Sequence, residues 1–132
     1  MTHPHLRRWE KTLRDVLREI DAEIEQTYGD RYSLHPARPP HGTTANPQHD
    51  GLFSVNAVFS AGFGSEHGPG YLLRVQMATL DAVPAETRDA IERVVAKRLR
   101  EALPRVFPGR TLHVERDGNA FKIHGDLSLG TA

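Results

Sequence analysis

Histidine and carboxylate side chains gather in two segments rich in proline and glycine. His35, His41, His49 and Asp50 lie in a proline-rich stretch; Glu66 and His67 lie in a glycine-rich one. Imidazole with carboxylate is a donor set for zinc or another divalent ion. The spacing matches no established ligand pattern: there is no HExxH, and no histidine pair shares a helical face. No metal and no cofactor are assigned on that basis. Ser65 with His67 or His49 and Glu66 supplies the residue types of a nucleophilic relay. Ser65 does not sit in GxSxG, the strained turn that exposes a serine nucleophile. The segment Gly62-Phe63-Gly64-Ser65-Glu66-His67-Gly68 is GxGxxxG and leads toward a strand. No helix N-terminus waits there for a phosphate. The absence of cysteine excludes thiolate chemistry and disulfides.

Two candidate surfaces remain. Asn46, His49 and Asp50 close the proline-rich stretch just before a predicted strand. Polar groups on a loop pinned by prolines make a binding rim. Facing Glu66 and His67, they form the expected small-ligand site. The alternative is a basic stripe. Arg93, Lys97 and Arg100 share one exposed face of a predicted helix, where they could meet phosphates.

These side chains need elements to hold them. Leu6, Trp9, Leu13, Val16, Leu17, Ile20 and Ile24 recur at spacings of three and four, which predicts a first helix of about six turns. Its charges oppose the macrodipole, with Arg7, Arg8, Lys11, Arg14 and Arg18 early and Asp21, Glu23 and Glu25 late. Residues 29–51 hold Pro36, Pro39, Pro40 and Pro47 and read as one long loop. Alternation predicts strands over 52–63 and 71–80, joined by the glycine-rich loop. Pro84 starts a second helix with Ile91, Val94, Val95, Leu99, Ala102 and Leu103 inward, and Pro104 ends or kinks it. Leu112 and Val114, then Phe121 and Ile123, predict two more strands around an Asp117-Gly118 type I′ turn.

The expected fold is a single α+β domain over residues 1–132. It is a two-layer sandwich of order αββαββ, with two helices on one face of a four-stranded sheet. Two strand orders satisfy the pattern. In one, the last strand inserts centrally, giving first-second-fourth-third, a circular permutation of the ferredoxin-like arrangement. In the other, the strands simply follow chain order. Phe121 and Ile123 suit a central strand while His113 and Glu115 suit an edge, which favours the permuted order.

Over roughly residues 6–116, the order helix–strand–strand–helix–strand resembles in topology the type II KH arrangement of small ribosome-associated factors. That resemblance implies an RNA-binding role for the basic stripe. The sequence departs from it in having no GxxG loop between paired helices and in adding a fourth strand. The 17 basic and 17 acidic residues also cancel, which disfavours nucleic acid. Met1 to Arg8 has no long apolar run, and no stretch approaches the roughly 20 residues of a membrane span. The expected compartment is the cytoplasm, with no membrane partner.

Three functional classes follow. The first is a non-enzymatic binding or assembly module with a protein partner or a small ligand. It is expected to be a homodimer, because Ser54, Asn56, Arg74 and Gln76 share the outer sheet face with Val58, Leu72 and Leu80. The second is an RNA- or ribosome-associated KH-like domain. The third is a metal-dependent or small-molecule enzyme using the histidine-bearing loops. The lack of a catalytic motif tilts the reading away from an enzyme.

Overall fold

The computed structural model describes residues 4–46, 49–62, 64–65 and 67–126. Its elements run α1 (Pro4–Tyr28), β1 (Phe53–Ser60), β2 (Gly70–Met77), α2 (Ala85–Val106), β3 (Leu112–Asp117) and β4 (Ala120–Gly125). The sheet order is β1-β2-β4-β3, antiparallel at every pair. This is the permuted ferredoxin-like order, and the chain-order sheet is excluded. The reason is burial. Phe121, Lys122 and Ile123 of β4 are all buried, so β4 is covered on both faces. On β3, Val114 is buried while His113 and Glu115 are exposed, as an outer strand permits.

α1 lays Trp9, Leu13, Val16, Leu17, Ile20 and Ile24 into the core, all at most 5% exposed. Each such side chain contributes roughly 1.5–3 kcal/mol when fully buried. That outweighs the few tenths of a kcal/mol per misplaced cation at its N-terminus. Trp9 packs on Phe107 with ring centroids 4.1 Å apart and on Tyr71 at 5.9 Å. α2 contributes Ile91, Val95, Ala96, Leu99, Ala102 and Leu103. α2 runs through Pro104 to Val106, because proline in the final turn removes only one ladder bond and Phe107 N still donates to Leu103 O at 2.9 Å.

The strands are shorter than alternation alone predicts. β1 stops at Ser60, and Phe63 lies outside the described residues. β2 stops at Met77; Ala78 N turns to Leu52 O, 2.7 Å away, and Leu80 is left 75% exposed. The β3–β4 turn also differs by one residue. Asp117 pairs with Ala120, so the central pair is Gly118-Asn119. Only Gly118 has positive φ, at 65°. That is the sign pattern of a type II′ turn, whose first central residue is glycine.

The glycine-rich loop does not project into solvent. It doubles back over the sheet face that the helices leave open. Gly62 lies so close to the Gly68 backbone that a Cβ there would overlap it. Ser65 Oγ donates to Gly62 O (2.9 Å) and accepts from Gly68 N (3.1 Å). Beneath this lies Lys122, only 1% exposed. Its Nζ donates to Gly68 O (2.7 Å), Ser65 Oγ (3.0 Å) and Asp117 Oδ2 (3.0 Å), which satisfies all three ammonium hydrogens.

Candidate cation site between α1 and the proline-rich loop

Asp21 and Glu25 are one helical turn apart, so they share the face of α1 that meets the start of β1. Glu25 Oε1 accepts from Leu52 N (2.9 Å) and Phe53 N (3.3 Å). Gly29 and Gly51 flank this carboxylate, and a side chain at either would collide with it. Gly51 also holds a φ of 71°, which only glycine adopts without strain.

The loop is built around its own polar groups. Arg38 donates to Gly51 O (3.0 Å), Asp50 O (3.0 Å), Phe53 O (3.3 Å) and Ser54 Oγ (2.8 Å). Asp50 Oδ2 accepts from the amide and the hydroxyl of Thr44, both at 2.8 Å. A guanidinium fork that serves three carbonyls has no substitute in lysine. Arg38→Ala is expected to cost about 3 kcal/mol in urea unfolding, since buried acceptors would be left unpaired. Arg38→Lys should recover only a minor part of that loss.

These contacts bring His41 against the helix. Its Nδ1 lies 3.6 Å from Asp50 Oδ1 and 4.0 Å from Glu25 Oε1. Asp21, Glu25 and His41 each offer a ligand atom within 4.8 Å of the others. Asp21 and Asp50 are both 1% exposed. Neither oxygen of Asp21 has a hydrogen-bond partner, and neither does Asp50 Oδ1. Ionised oxygens cost several kcal/mol to bury without a counter-charge.

The protonation states follow from these surroundings. Burial, then the Glu25 charge beside it, pushes the Asp21 carboxyl up from 3.8 to about 7; the Val55 amide, which points toward the carboxyl without making a hydrogen bond of good geometry, and Arg38 oppose this only partly. Burial would also raise Asp50, but hydrogen bonds from Thr44 and Gly42, with His41 nearby, hold it below its ordinary value. A cleft of about 580 Å³ opens beside the cluster. Glu25 and His41 stand on its wall with Gln26, Gly29, Leu34 and Pro40.

Of the rim expected from sequence, Asp50 belongs to this cluster. His49 is exposed, and its amide closes a turn on Asn46 O at 2.9 Å. His67 is elsewhere: the proline-rich loop enters β1 and the glycine-rich loop leaves it, so eight strand residues separate the two. The structure therefore does not bring Asp50 and His67 together. Glu66 lies outside the described residues. In the basic stripe, Arg93 binds Asp89 at 2.6 Å, and Arg100 donates to Val114 O at 2.8 Å. All three side chains are exposed, and Arg93 and Arg100 also hold partners within the fold.

Sequence reasoning missed Asp21, Glu25 and Arg38 as site residues. The signal for Asp21 was present: it falls four residues after Leu17 and three before Ile24, a position inside the apolar stripe. A carboxylate there must be buried.

No helix among the described residues is long and apolar enough to cross a membrane. No solved structure matches the chain. An uncharacterized protein of Borreliella burgdorferi is 38% identical over 117 residues, covering 89% of this chain and 91% of that protein. A family model described as "Uncharacterised protein" matches residues 4–125, and the chain belongs to that family.

Proposed function

We propose that the protein is a small divalent-cation-binding module, with the ion held between α1 and the proline-rich loop by Asp21, Glu25 and His41. The observation that carries this reading is the Asp21 carboxylate, 1% exposed and with no partner for either oxygen. A cation supplies the missing counter-charge. Ligand bonds of roughly 2.1 Å place ligand atoms about 3–4 Å apart, so a slight inward closure of this cluster completes the shell. Asp50 Oδ1 faces His41 and is the natural fourth donor. A carboxylate set with one imidazole suits Mn²⁺, Fe²⁺ or Zn²⁺ better than Ca²⁺, which takes more oxygen ligands at longer range. The adjoining cleft gives the ion access to solvent and leaves room for a small ligand on its open side.

Mn²⁺ titration of the full chain, followed by the EPR signal of the free ion, tests this reading. One ion should bind per chain. Asp21→Asn should abolish binding and His41→Ala should weaken it at least tenfold. Unchanged binding in both variants would reject the site.

A further inference from the structure

We infer a second ion site, for Zn²⁺, on the sheet face that the helices leave open. Its ligands are His67 of the glycine-rich loop, Glu115 of β3 and His124 of β4. It shares no residue with the α1 pocket, so the two proposals stand or fall separately.

The three side chains offer ligand atoms within 4.8 Å of one another. Two imidazoles and a carboxylate are a set that zinc takes with its fourth position open. The orientation of His67 is the second observation. Its Nε2 lies 3.1 Å from Arg116 O, and a carbonyl can only accept, so Nε2 carries the hydrogen and Nδ1 carries the lone pair. Histidines that bind metals are held in this way, with the other ring nitrogen donating to a backbone carbonyl. The His67 ring lies over the His124 ring, with centroids 4.4 Å apart and planes 11° from parallel. His124 Nε2 is 3.0 Å from Glu115 Oε1, a pair between which a cation can insert. His113, paired across the ladder with His124, adds a third imidazole 5.2 Å from it.

The loop is already fixed over this spot. His67 N donates to Asp117 Oδ2 (3.2 Å), and Lys122 holds Ser65 and Gly68. Stacked rings carry their lone pairs in separate planes, so coordination requires one ring to turn about χ2. That turn falls to His124, whose contact with Glu115 the ion replaces, so the Arg116 carbonyl keeps its hold on His67. A bound ion would then fasten the glycine-rich loop to the sheet.

The test is a Zn²⁺ titration of the full chain, followed by the imidazole and amide NMR signals. His67 and His124 should shift together, and the amides of His67 and Gly68 should exchange more slowly. Read from the His67 signals, which zinc held in the α1 pocket does not move, the zinc Kd should rise at least tenfold in His124→Gln. Glu115 is 51% exposed, so Glu115→Gln leaves the fold undisturbed and should weaken zinc in the same way. The proposal is overturned if zinc shifts His41 and not His67 or His124, or if both variants bind zinc as tightly as the wild type.

Discussion

Asp21→Asn should stabilise the metal-free protein at pH 8 while removing its capacity to bind a cation. Both effects come from the same carboxylate. The folded state raises the Asp21 pKa from 3.8 to about 7, so it binds this proton more tightly than the unfolded chain does. The associated stability is complete below pH 3.8, falls as pH rises, and is gone above about pH 7. At 1.36 kcal/mol per pKa unit, the loss is at most about 4 kcal/mol. Asparagine has nearly the shape of the protonated acid and never ionises. Urea unfolding in EDTA should therefore show a falling stability from pH 4 to 7 in the wild type and a flat one in the variant. Asp50 contributes with the opposite sign. Its pKa is lowered by folding, so its share is present above the ordinary carboxyl range and is lost as pH falls through the folded value. That term bends the profile only at acid pH. Saturating Mn²⁺ at 100 times Kd should restore about 2.7 kcal/mol to the wild type and nothing to the variant. An identical pH slope in the two proteins would show that Asp21 does not carry the buried proton.

Asp117→Ala is expected to be the most destabilising change on the open sheet face. Lys122 is 1% exposed and its partner Asp117 is 8% exposed. Removing one member of a buried pair leaves the other charge uncompensated, at a cost of about 3–5 kcal/mol. For a chain of this length, that corresponds to a Tm lower by roughly 10–15 °C. Asp117→Asn combined with Lys122→Met removes both charges and should recover most of the loss. The pair is thus expected to be strongly non-additive, which a double-mutant cycle measures directly. Additive losses would mean that the two charges do not depend on each other.

The contrast between these two carboxylates shows what alternation and periodicity can reveal. The apolar stripe from Trp9 to Ile24 and the central character of Phe121 and Ile123 led to the observed layers and strand order. Those signals are local, and core packing enforces them. Lys122 alternates correctly with Phe121 and Ile123, and its side chain does leave the helical face. Its burial comes from a loop some 55 residues earlier that folds back over it, which no local pattern encodes. The site was half legible for a similar reason. Asp50 and His41 were visible as chemistry in a proline-rich loop, but their counterpart is a helix turn read as ordinary charge. Glycine loop and proline loop looked like neighbours because β1 separates them by so few residues. An extended strand carries them to opposite ends of the sheet.

β1 is an outer strand, and outer strands present unpaired amides and carbonyls to any extended chain that drifts past. At Phe53 both groups are occupied from within: the amide by Glu25, the carbonyl by Arg38. Two side chains around the proposed pocket, Glu25 and Arg38, therefore also cover the outer edge of the sheet at the first residue of β1. Opening the pocket would do more than weaken an ion. It would bare a strand whose far end already shows Val58 and Phe59 to solvent, the latter 57% exposed. In this fold, assembling the carboxylate cluster and covering the start of the outer strand depend on the same two side chains, Glu25 and Arg38.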